Sequence, residues 1–336
     1  MPFDIHRGTN VSHWLSQSEA RGEARRRYFT RGDAQRLADL GLDHLRIPID
    51  EEQMWDESGR RDREAFDLLD GCLQWCRELR LRVIVDLHIL RSHHFNDAEE
   101  PRLFADPAEP ERFADLWRDL SAHLRRRPND EVAYELLNEA VARDGDDWNL
   151  VARVAYDAIR QEEPERVIVL GSNRWNSPLV FEALDIPDGD ANLVLTFHYY
   201  LPMLITHYRA PWTASGAYEG PVHYPGQPIA PSDWDALPAE MKHMLAEHNV
   251  FYNASVMERD LAQPMAVRKR TGLTIYCGEF GCINQCPDAV RAAWYRDFRS
   301  VLDAHGIAWA TWDYKGLFGL FDARGKPTVV VEAMLK

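Results

Sequence analysis

Short, unbroken apolar runs recur along the chain, each followed by a longer stretch in which apolar residues return every three or four positions. Val83-Ile84-Val85 and Val167-Ile168-Val169-Leu170 are continuous and β-branched. A strand exposed on one face alternates; a continuous run marks a parallel strand covered on both faces. Eight such strands are predicted, near residues 4–11, 43–48, 82–88, 132–139, 166–171, 192–199, 273–280 and 307–313. Helical periodicity fills the gaps. It covers 33–40 (stopped by Gly41), 63–80 (Phe66, Leu69, Leu73 and Cys76 on one face), 110–127, 148–162, 253–271 and 289–305 (stopped by Gly306). Strands alternating with helices argue for a parallel sheet, and eight units argue for its closure. The expected fold is α/β, a single (β/α)8 TIM barrel in which residues 1–336 form one domain.

Residues 201–233 break the rhythm, with many Pro, Gly, Tyr and Trp residues and little periodicity. They follow strand six, so they form a long loop insertion on the C-terminal face of the barrel. Loops of this length are functional or disordered, and the aromatics Tyr208, Trp212, Tyr218 and Tyr224 argue for order.

Charge narrows the partners. Acidic residues number 54 against 39 basic ones, for a formal net charge of −15. Such a surface repels nucleic acid and anionic membranes, so neither is an expected partner. No apolar run approaches the ~18 residues of a membrane span, and the first residues lack the pattern of a secretory signal. A cytoplasmic location is the expectation for the sequence as it stands. Cys72, Cys76, Cys277, Cys282 and Cys286 show no zinc spacing and are expected to be reduced, buried thiols.

The predicted chemistry sits at the strand ends. Tyr134-Glu135-Leu136-Leu137-Asn138-Glu139 and Ile275-Tyr276-Cys277-Gly278-Glu279-Phe280-Gly281 each read as a buried strand ending in a carboxylate. Glu139 and Glu279 are about four βα units apart, so they belong to the same barrel mouth. Glycosidic cleavage needs two carboxylates, one a protonated acid and the other an ionised nucleophile or base. Arg46, His88, His198, Tyr200 and Trp312 stand at or beside other strand ends. Any one of them alone is a weak signal; together they mark the face where barrel enzymes keep their chemistry. Parity along the strands puts Cys277 below Glu279. It also puts Glu135 below Glu139, as an inward carboxylate that must be paired inside the barrel.

These residues resemble glycoside hydrolase family 5, and most closely its bacterial endoglucanase C-type cellulases. The likeness runs through Trp14-Leu15-Ser16-Gln17, Glu135–Glu139, His198-Tyr199-Tyr200, Thr206-His207, Tyr224-Pro225-Gly226-Gln227, Gly278-Glu279-Phe280-Gly281 and Trp312-Asp313-Tyr314-Lys315. The resemblance implies a retaining endo-β-glycosidase acting on β-1,4-glucosidic bonds of cellulose-like or mixed-linkage glucans and their oligosaccharides. No metal or organic cofactor is implied. Glu139 would be the acid/base, with Asn138 holding the sugar 2-hydroxyl, and Glu279 the nucleophile, bonded by Arg46 and Tyr200. His198 would sit against the acid/base, His88 would bind a sugar hydroxyl, and Trp312 would floor the −1 subsite. Trp212 or Tyr208 is expected to stack on aglycone-side sugars.

Two departures stand out. Ser12 and His13 replace the two glycines that such enzymes carry before the strand-one Trp, so His13 is expected to reshape the glycone side. After His88 the chain reads Ile89-Leu90-Arg91-Ser92-His93-His94, where members of that family tend to show a second His soon after the first. A β-mannanase or an exo-acting glucosidase or mannosidase would share the same catalytic residues and differ in its loops. A metal-dependent barrel hydrolase could draw on the 13 histidines, but strand one lacks His-x-His. A sugar-binding pseudoenzyme would require the loss of a catalytic residue, and none is missing.

Overall fold

A computed structural model describes residues 3–336. Eight strands close a barrel in chain order: β1 (Arg7–Asn10), β2 (His44–Asp50), β3 (Arg82–Ile89), β4 (Val132–Glu135), β5 (Ile168–Gly171), β6 (Leu193–Tyr199), β7 (Thr274–Phe280) and β8 (Ala308–Thr311). The recorded pairings are parallel, with Val85 beside Ile47 and Tyr134, and Val169 beside Glu135 and Val194. Nearly every strand residue is buried, as the continuous apolar runs require. Ile5, Ile84, Ala133, Val167, Val169, Val194, Tyr276, Ala308 and Ala310 pack into one apolar cluster.

The helices start and stop where backbone chemistry directs. Arg63–Leu79 begins at Asp62, whose carboxylate accepts from Ala65 N–H, and stops at Arg80 in a left-handed conformation. Asp288–His305 stops at Gly306, φ 58°, where glycine adopts a left-handed backbone without a Cβ clash.

Two expectations change. β4 leaves the ladder after Glu135, so Glu139 lies beyond the regular strand, at φ 46°. The segment still follows its neighbours: Leu136 N–H donates to Val169 C=O (3.2 Å) and Asn138 N–H to Leu87 C=O (2.9 Å). The single helix expected over 253–271 is two, Ala254–Asp260 and Ala262–Thr271. Pro264 explains the break, because a proline is accommodated only in a first helical turn. The crossover from β5 to β6 holds only a 3-10 segment, Pro178–Ala183, after the short Asn173–Asn176 turn.

Contacts divide the chain into two compact units. The first takes residues up to 198, with 263–278 and 308–310, and so carries the strands up to the ends of β6 and β7. The second takes 199–262, 279–307 and 311–336. In it the long segment after β6 is ordered into short helices, Met203–Thr206, Ala214–Ala217, Pro231–Asp235 and Ala239–Leu245. All five cysteines are buried thiols outside any disulfide. Among the described residues no helix is long and apolar enough to cross a membrane.

Candidate active site

In the first unit the organising residue is Arg46, fully buried on β2. Its Nε and Nη2 donate to both Glu135 oxygens (2.7 and 2.9 Å), Nη1 donates to Asn10 Oδ1 (2.9 Å), and Nη2 also reaches Asn138 Oδ1 (3.0 Å) and Asp86 Oδ2 (3.1 Å). One guanidinium thus serves two buried carboxylates. Burial raises the pKa of each to about 7, against the pull of Arg46. Glu135 is therefore the paired, inward carboxylate that strand parity required. The bond to Arg46 turns the Asn138 amide so that its Nδ2 is buried with no partner among the described residues. That donor is ready for a ligand oxygen.

Glu139 is held from the other side. Its Oε1 lies 2.9 Å from His198 Nδ1, and His198 Nε2 lies 3.2 Å from Asn176 Nδ2. Burial pushes the His198 imidazole well below its usual pKa, so the ring is neutral. The Asn176 amide donates to Nε2, which leaves the ring proton on Nδ1, facing Glu139. Asn176 ends three successive left-handed residues, Arg174 (φ 54°), Trp175 (φ 59°) and Asn176 (φ 52°). Each costs about 1–2 kcal/mol outside glycine, and the strain persists where the surroundings over-determine it. Here those surroundings include Gly171, where a Cβ would meet the Asn176 amide at 2.6 Å. Gly278 makes similar room: a Cβ there would lie 2.7 Å from Thr196 Oγ1 and 3.3 Å from His198 Nε2. The end of β7 thus runs directly past the histidine that holds Glu139.

His88, at the end of β3, has Nδ1 2.7 Å from Asp86 Oδ2 and Nε2 3.0 Å from Gln17 Nε2. His13 is half-buried at φ 55°, with Nδ1 3.3 Å from Gln17 C=O.

In the second unit, Glu279 follows Gly278 directly and is buried. Tyr200 OH donates to its Oε2 at 3.0 Å. The Tyr200 ring meets the edges of His207 (5.2 Å) and Phe318 (6.1 Å), which fix the phenol. Trp312 is nearly buried, and its N–H donates to Phe280 C=O (2.9 Å). Gly281 permits this approach, since a Cβ there would lie 2.6 Å from Trp312 C=O. Both glycines of Gly278-Glu279-Phe280-Gly281 are thus required by contacts, one on each side of the carboxylate. In the loop, Trp212 is 48% exposed and edge-on to His207 at 6.3 Å. Tyr208 is buried, and its hydroxyl donates to Glu219 and Gly220 C=O (3.0 and 2.8 Å). It packs the loop and offers no stacking face, so of the two expected platforms only Trp212 is exposed.

Sequence reasoning gave no role to Asp86, Asn176, Gln17 or Asn10. Asp86 had a readable signal, since it shares a strand face with His88 two positions on. The other three act through contacts that no spacing announces.

Residues 9–317 match the family Cellulase (glycosyl hydrolase family 5). The chain is 31% identical to Endoglucanase C of Acetivibrio thermocellus over 326 residues, covering 95% of this chain and 94% of that protein. It is 29% identical to Cellodextrinase A of Ruminococcus flavefaciens over 308 residues, 90% and 84% of the two chains. A solved hyperthermophilic endo-β-1,4-glucanase in complex with substrate shares the fold, with TM-score 0.78 at 20% identity over 99% of this chain and 97% of that one. With strand-end carboxylates on the expected fold and a family match over nearly its whole length, this chain belongs to glycosyl hydrolase family 5.

Proposed function

We propose that this glycosyl hydrolase cleaves internal β-1,4-glucosidic bonds of cellulose-like or mixed-linkage glucans and their oligosaccharides, with retention of configuration. The observation that carries the reading is the contrast between the partners of two carboxylates, one at the end of β7 and one just beyond β4. Glu139 faces a neutral imidazole, and Glu279 accepts from a phenol (3.0 Å). A phenol donor suits a carboxylate that stays ionised, and a neutral histidine adds no charge that would force its neighbour to ionise.

In the proposed cycle Glu279 attacks the anomeric carbon while Glu139 gives its proton to the departing glycosidic oxygen. Glu139 then takes a proton from water, whose oxygen attacks the same carbon and releases Glu279. Two inversions give net retention. Asn138 Nδ2 donates to the 2-hydroxyl of the reacting sugar. The Tyr200 hydroxyl, donating to Glu279 Oε2, favours its ionised form, and Trp312 floors the reacting ring. Trp212 stacks on the aglycone side, and His13 shapes the glycone side. Relatives named endoglucanase and cellodextrinase support β-1,4-glucan chains and their oligomers as the substrate class.

Proton NMR of cellotetraose digestion, with viscosity and reducing ends followed on a soluble glucan, tests this reading. The β-anomer should appear first, and viscosity should fall ahead of reducing-end release. A first-formed α-anomer would contradict retention, and release of single terminal glucose units would contradict internal cleavage.

A further inference from the structure

Beyond β1 the chain bulges and then continues in the same direction beside β2, with left-handed residues at His13 (φ 55°) and Gln17 (φ 50°). Leu15 bridges to Ile49 as a short extra stave, with Asp50 N–H donating to Leu15 C=O (2.8 Å). Gln17 N–H is tied to Asp50 Oδ2 (2.6 Å), and its carbonyl lies 3.3 Å from His13 Nδ1. The backbone of Gln17 is therefore fixed at both peptide groups, and its side chain reaches His88 at the end of β3.

The hydrogen-bond chain through His88 sets the direction of that side chain. Asp86 Oδ2 is ion-paired with Arg46 Nη2 (3.1 Å), which favours its carboxylate form, and at 2.7 Å it accepts from His88 Nδ1. The imidazole is buried and neutral, so its one proton is on Nδ1 and Nε2 carries the lone pair. The amide nitrogen of Gln17, 3.0 Å away, donates to that lone pair. Both ring nitrogens of His88 are thus committed to protein partners. The Gln17 amide keeps one N–H and its whole carbonyl oxygen, which no protein donor reaches among the described residues. A planar amide held this way offers one acceptor and one donor side by side, which matches two adjacent hydroxyls on a pyranose ring.

We infer that Gln17 is a substrate-binding residue: its amide holds a pair of adjacent glycone-side hydroxyls, and His88 acts as the positioning residue that locks the amide. This rests on the glucanase reading above, and it gives Gln17 the sugar contact that the sequence analysis expected of His88.

The test compares cellotetraose with monodeoxygenated cellotetraoses, each lacking one glycone-side ring hydroxyl, in wild-type, Gln17→Gly and Gln17→Asn enzymes. Glycine tolerates the left-handed backbone, and Asn tolerates it while being too short to keep the His88 bond. The melting temperature of each variant is followed alongside, so that lost stability is read separately from lost binding. Loss of one of two adjacent hydroxyls should lower wild-type kcat/KM about 3- to 10-fold, the size of one neutral hydrogen bond. Both variants should cleave those analogues as well as the parent sugar, because the partner is already gone. Equal penalties in wild type and variants would overturn the inference while leaving the glucanase reading intact. Wild-type enzyme that leaves cellotetraose uncleaved would overturn both.

Discussion

His93 is a buried histidine that works against the fold, and replacing it with leucine should stabilise the protein most at low pH. It lies in the loop after β3, 1% exposed, with the edge of its ring against Phe104 (5.6 Å). Neither ring nitrogen has a partner among the described residues. Burial, and then the nearby His94 and His88, push its pKa down to about 3 from 6.5. A histidine with a lowered folded pKa is protonated first in the unfolded chain, so stability is lost as pH falls from 6.5 towards 3. At pH 5 the loss is about 1.5 pH units at 1.36 kcal/mol each, or ~2 kcal/mol. Leucine removes that term, and also the pH-independent cost of an unpaired buried N–H, about 1–3 kcal/mol. Scaled to the entropy of unfolding of a chain this size, ~2 kcal/mol is about 3 °C in Tm. Calorimetry of wild type and His93→Leu at pH 8 and pH 5 reads both terms. The Tm advantage of the variant should be about 3 °C larger at pH 5 than at pH 8. An advantage of the same size at both values would refute the argument that His93 is held neutral by burial.

Glu139→Ala should abolish most cleavage of natural glucans, yet spare formation of the covalent intermediate from aryl glycosides with good leaving groups. Azide should restore turnover and give a β-glycosyl azide, and equal losses on both substrates without that product would remove Glu139 from the acid/base role. Trp212→Ala should raise KM or shift product lengths with Tm nearly kept, because the residue is 48% exposed; a fall in Tm with unchanged products would make it a packing residue. His13→Gly should fold well, since φ 55° suits glycine. It should also raise kcat/KM on longer cello-oligosaccharides relative to the dimer; an unchanged chain-length profile would leave His13 without a part in substrate choice.

The barrel was legible because its strands are buried on both faces, so each announces itself as a continuous run such as Val83-Ile84-Val85. Glu279 was legible as a carboxylate at the end of such a run. Glu139 was legible by type but not by conformation, because its left-handed backbone depends on what surrounds it. The break at Leu261 was readable in Pro264. Tyr208 and Trp212 could not be told apart by composition. Tyr208 is buried with its hydroxyl on backbone carbonyls while Trp212 stays half-exposed, a difference set by how the loop folds on itself. Asn176 and Gln17 are polar residues in left-handed turns, and each acts on a histidine that the linear sequence sets apart from it.

The central claim is that Glu279 is the nucleophile of a retaining glucanase, and the most direct test is trapping. A 2-deoxy-2-fluoro cellobioside with an activated leaving group should inactivate the enzyme with time. Peptide mapping should then place one fluoro-glycosyl ester on the carboxylate of Glu279 in Tyr276-Cys277-Gly278-Glu279-Phe280-Gly281. The label on Glu135, Glu139 or any other acid, or turnover with no covalent adduct, would contradict the account.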